Sequence, residues 1–77
     1  MEIAILGPGC SRCKELERRA NEAAHELGIK ADVVEITDIA KIIDFGVMST
    51  PAIVIDGKVK ASGRIPEVNE IKGWLSP

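Results

Sequence analysis

With 77 residues, 45% apolar and 29% charged with both signs intermixed, the chain is sized for a single domain, residues 1–77, with one compact core and no deep enclosed pocket. A formal net charge of -2, the absence of any Lys or Arg run, and only Phe45, Trp74 and, loosely, His25 as stacking surfaces argue against a nucleic-acid partner. No apolar run reaches membrane-spanning length and Met1 to Leu6 lacks the basic leader of a signal peptide, so no membrane partner is expected and the expected compartment is the cytoplasm.

The elements follow in order. Ile3 to Leu6 is a short apolar run stopped by Gly7-Pro8-Gly9 and reads as a buried central strand. From Ser11 to Leu27 the apolar residues Leu16, Ala20, Ala23, Ala24 and Leu27 fall at helical spacing, with Gly28 as the stop. The small alanines let that helix lie close to a sheet. Ile29 to Ile36, rich in Val and Ile, reads as a second strand. Thr37 or Asp38 caps a short helix with Ile39, Ile42 and Ile43 on one face, ended by Gly46. Ala52 to Ile55 and Val59 to Ser62 form a hairpin about the Asp56-Gly57 turn. Pro66 suits the first turn of a last helix with Val68, Ile71, Trp74 and Leu75 inward. The order β-α-β-α-β-β-α predicts an α/β fold. Its first two strands are parallel, its last two antiparallel, and its four-stranded mixed sheet carries helices on both faces.

The chemistry is concentrated in Cys10-Ser11-Arg12-Cys13, placed where the first strand gives way to the first helix. In the cytosol, paired cysteines serve in catalysis, redox sensing or metal binding more often than as staples. Residues i and i+3 of a helix are neighbours, so the two sulfurs can bond. The free N–H groups and dipole of a helix start favour a thiolate. An ordinary thiol of pKa ~8.5 is only about 3% ionised at pH 7, so such a shift matters. Cys10 is then the expected nucleophile and Cys13 the resolving thiol, which makes the pair a catalytic redox-active disulfide without a bound cofactor. As a structural staple the pair is poor, because closing a four-residue loop contributes roughly 1.9 kcal/mol against ~3 for 15 residues. Arg12 and Lys14 either add positive potential and select targets, or are ordinary solvated charges on a first turn.

The alternative from another class is a Cu(I)- or Zn-binding carrier using the same two cysteines, since soft metals favour thiolates. Heavy-metal-associated domains carry a methionine where Pro8 stands and have a different element order. The lone His25, about three turns along the first helix, reads as a surface or core-edge residue rather than a ligand. Met48 reads as core filler or, less simply, as a substrate contact. Glu17, Arg18 and Arg19 read as the solvated face of the first helix.

With Cys10-x-x-Cys13 after the first strand, Ser49-Thr50-Pro51 before the third and Gly63 after the fourth, the chain resembles the thioredoxin/glutaredoxin superfamily over essentially its whole length. Within it, the chain is most similar to the very small redox-active disulfide proteins of archaea and bacteria. The resemblance implies a thiol-disulfide oxidoreductase that acts on protein disulfides and is served by an upstream disulfide reductase, and nothing in the sequence demands more than a monomer. It also implies a cis bond before Pro51, although X-Pro bonds are ordinarily trans, and a substrate-binding role for the Thr50 main chain. There are departures from the family pattern. Gly9 precedes Cys10 where thioredoxins have Trp, and Ala4 stands where they bury an Asp. The lone Gly63 is followed by Arg64 where glutaredoxins hold glutathione, so protein disulfides are expected to be the better substrates.

Overall fold

The structure is a computed structural model that describes residues 1–9 and 11–76; Cys10 and Pro77 lie outside the described residues. Its elements are β1 (Glu2–Leu6), α1 (Ser11–Leu27), β2 (Asp32–Ile36), α2 (Ile39–Asp44), β3 (Ala52–Ile55), β4 (Lys58–Ser62) and α3 (Val68–Leu75). The sheet order is β2-β1-β3-β4. β1 pairs in parallel with β2 and antiparallel with β3, and β3 pairs antiparallel with β4. The expected four-stranded mixed α/β sheet is therefore present, with the two strands that read as continuous apolar runs at its centre.

Strand alternation divides the core. Ile3 and Ile5 of β1 lie opposite Ile55 and Ile53 of β3 on the face packed by Leu16, Ala20 and Ala23 of α1 and by Ile71 and Leu75 of α3. Ala4 and Leu6 lie opposite Val54 and Ala52 on the other face, covered by Ile42 of α2 and by Val47. The β4 edge is blunted by Lys58 and Lys60 and by a register step between Ile53 and Val54.

Four features differ from the sequence reading. β2 begins at Asp32 rather than Ile29, because the Ile29 N–H closes the end of α1 on the Ala24 carbonyl. Pro66 is buried ahead of α3 instead of within its first turn; the cap is Glu67, whose N–H donates to the Glu70 carboxylate at 3.1 Å. Only Ile42 of the α2 face is buried, while Ile39 and Ile43 are 59% and 64% exposed. Arg19 is also more than a solvated charge. Its guanidinium pairs with Glu15 at 2.7 Å and donates to the Pro66 carbonyl at 3.1 Å, tying α1 to the segment that leads into α3. A second tie between these helices is Lys72 with Glu26 at 3.0 Å.

Glu15 accepts from Arg18 as well as Arg19, and these hydrogen bonds hold its carboxyl down at about 2. A carboxyl depressed in the folded state stabilises the fold above its unfolded value, and that contribution fades as pH falls toward the folded value. The pair is partly exposed, so screening keeps the effect modest. Urea midpoints are expected to decline from pH 4.5 toward 2, with a shallower decline in Glu15→Gln. By contrast, Leu16→Ala should cost about 2 to 5 kcal/mol in urea unfolding at neutral pH. Ile43→Ser, at an exposed position, should stay within about 0.5 kcal/mol of the parent.

Candidate functional site

The site forms where the C-terminal end of β1, the first turn of α1 and the loop before β3 meet. The parallel pairing of β1 with β2 runs one residue beyond the strand, because the Gly7 N–H donates to the Ile36 carbonyl at 3.0 Å. After Pro8 and Gly9 the chain reaches Ser11, where α1 begins. Cys13 lies in the first turn of this helix and is fully buried. Arg12 and Lys14 are exposed on the same turn, which carries no acidic residue.

Gly7 lies against the sulfur. A methyl group at Gly7 would overlap Cys13 Sγ and would stand 3.4 Å from Cys13 Cβ and 3.7 Å from Thr50 Cβ. The sulfur therefore sits at the junction of all three segments, next to the backbone of β1 and near Thr50. The Gly-Pro-Gly run reads in sequence only as a strand breaker; the contact with Cys13 is tertiary, and no spacing rule exposes it.

The third wall is the loop Ser49-Thr50-Pro51. The Thr50–Pro51 peptide bond is cis, Pro51 is fully buried and Thr50 is half-buried. Gly63, just beyond β4, holds this loop: its N–H donates to the Pro51 carbonyl at 2.9 Å. Gly63 has φ +74° and a Cβ there would come within 3.0 Å of Ser49 Cβ, so both conformation and space call for glycine.

Beside Thr50 lies an open apolar groove of about 650 Å³, lined by Ile39, Ile43, Val47 and Met48 among others. Met48 is 99% exposed, which corrects its reading as core filler. A second open groove, of about 700 Å³, involves Met1, His25 and Asp32 near the opposite end of β1. His25 is exposed there, as a surface residue of α1. Of the expected site residues, Cys13, Thr50 and Pro51 are thus brought together and Arg12 lies on the adjoining turn, while Cys10 lies outside the described residues. Among the described residues, no three His, Cys, Asp or Glu side chains gather in a way that could hold a metal ion. None of the described polar or charged side chains is buried. No helix is long and apolar enough to cross a membrane.

Comparison with known proteins agrees with this architecture. A family model described as "Thioredoxin domain" matches residues 1–76. A protein named thioredoxin from Methanothermobacter thermautotrophicus is 41% identical over 76 residues, covering 99% of both chains. One of the same name from Methanocaldococcus jannaschii is 39% identical over 73 residues, covering 95% of this chain and 84% of its own. With the expected sheet, the cis-proline loop and a family match over nearly its full length, the chain belongs to the thioredoxin-domain family.

Proposed function

We propose that the chain is a thiol-disulfide oxidoreductase in which Cys10 and Cys13 form a redox-active pair that needs no bound cofactor and acts on protein disulfides. The observation that carries this reading is the position of Cys13, fully buried in the first turn of α1 and adjoining the Thr50-Pro51 loop. A sulfur so enclosed is suited to displace a substrate already joined to its neighbour rather than to meet a protein substrate first, which leaves first attack to Cys10.

In the first step the Cys10 thiolate attacks one sulfur of the substrate disulfide. The substrate S–S bond breaks, a Cys10–substrate disulfide forms, and one substrate sulfur leaves as thiolate and is protonated. In the second step the Cys13 sulfur, having given up its proton, displaces the remaining substrate sulfur from Cys10. Two electrons pass from the dithiol to the substrate, and the protein ends as the Cys10–Cys13 disulfide. An upstream disulfide reductase restores it.

Two features support a reactive Cys10. Helix α1 begins at the next residue in sequence and has 17 residues, so its unpaired first-turn N–H groups and dipole favour negative charge at that end. Arg12 and Lys14, with no acid on the turn, add positive potential of the same sense. Arg12, exposed on that turn, is read as a substrate contact. The Thr50 main chain, beside the buried Pro51, would pair with an extended substrate segment. Ala4 is apolar where a buried carboxylate would serve as proton acceptor, and the proton of Cys13 accordingly passes to water or to a group of the substrate. The same reading takes the chain as one domain working as a cytoplasmic monomer.

Iodoacetamide labelling against pH, with peptide mapping, should show Cys10 modified first, with a midpoint below the ordinary value of about 8.5. Labelling mainly at Cys13 would contradict the assignment. In dithiothreitol-driven insulin reduction, Cys10→Ser should abolish turnover. Cys13→Ser should instead accumulate mixed disulfides with target proteins, detected on non-reducing gels. A parallel Cu(I) and Zn titration should find no tight binding; tight binding without insulin reduction would favour a metal carrier.

A further inference from the structure

We propose that Gly7 is the positioning residue for the resolving sulfur, its missing side chain forming the seat in which Cys13 Sγ rests. This rests on the dithiol reading above and adds to it the residue that governs the second step.

Neither backbone in the contact is free to withdraw. Gly7 is buried, and its N–H is engaged with the Ile36 carbonyl at 3.0 Å. The preceding Leu6 is fully buried and paired on both sides, with Ile36 of β2 and Ala52 of β3. Across the contact, Cys13 belongs to a helix anchored by Leu16 and Ala20, both fully buried against the central strands. A Cβ at Gly7 would meet Cys13 Cβ at 3.4 Å and Thr50 Cβ at 3.7 Å, which ordinary packing tolerates. Its conflict is with the sulfur alone. Gly7 is also not among the residues with positive φ, so its backbone would accept alanine. What requires glycine here is the atom beside it.

An alanine would therefore push Sγ out of its seat while leaving the rest of the site in place. In the second step Sγ must approach the Cys10 sulfur in line with the bond being broken. A small displacement slows that displacement reaction without touching the first attack.

The test uses Ellman's reagent on the reduced proteins. Attack by Cys10 releases one equivalent of thionitrobenzoate and leaves the second on Cys10; attack by Cys13 then releases the second and closes the disulfide. For Gly7→Ala the first phase should keep its rate while the second slows by about tenfold or more. Thermal unfolding of reduced Gly7→Ala, Cys13→Ala and the double variant supplies a structural check. Alanine at position 7 should lower the midpoint in the parent background and lose most of that effect when the sulfur is gone. An unchanged second phase, or an equal loss of midpoint in both backgrounds, would overturn the proposal. If Gly7→Ala alone fails to fold, folding of the double variant upholds the seat, and its failure as well overturns it. A parent protein that releases only one equivalent overturns the dithiol reading itself, and the thermal comparison still judges the seat.

Discussion

The site is organised around the approach of a buried sulfur to bare backbone. Cys13 can lie at the end of β1 because Gly7 presents no side chain, and β1 can end there because its last pairing, from Gly7 to Ile36, is still made. The first turn of α1 is thereby held against the central strand at the point where the chain turns from sheet to helix. A larger residue at position 7 would have to displace the sulfur, the helix start or the strand end, and the last two are fixed by buried neighbours.

That constraint is met by an uneven body. On one side of the sheet α1 and α3 enclose the isoleucines of β1 and β3. The small Ala20, Ala23 and Ala24 let α1 lie close, and Arg19 and Lys72 tie the two helices. On the other side a helix of six residues buries one isoleucine. A chain of this length cannot cover both faces equally. The thicker cover lies on the side of α1, the helix that carries Cys13, so the element needing the firmest placement receives most of the buried apolar surface.

This unevenness marks the limit of what the sequence discloses. The limits of α1, the central strands and the Asp56-Gly57 turn are legible because each rests on local chemistry: helical spacing closed by Gly28, apolar runs, and a turn pair with positive φ at both residues. The exposure of Ile39, Ile43 and Met48 is not legible, because apolar character does not reveal whether an opposing surface exists. The position of Arg19 depends on the Ile65 and Pro66 carbonyls, 46 and 47 residues away in the chain. Gly7 looks like punctuation until the fold places a sulfur beside it. The cis bond at Pro51 is legible through resemblance alone, since the residue type by itself favours trans.

The sulfur and the proline loop rest on separate supports. The sulfur is held by β1 and α1, through Gly7, Leu16 and the central strand pairs. The proline loop is held by the β3–β4 hairpin, through the Gly63 N–H on the Pro51 carbonyl and the close fit of Gly63 to Ser49. Those two supports share the β1–β3 pairing, so the distance between sulfur and loop is set by the central strand pair of the sheet. Helix α2 adds to this pair only the cover of Ile42, while its exposed Ile39 and Ile43 line the groove beside Thr50. Surface and chemistry are thus separable in this chain: the exposed residues of α2 can vary the shape next to Thr50 without moving the sulfur, whereas a methyl group added at Gly7 cannot.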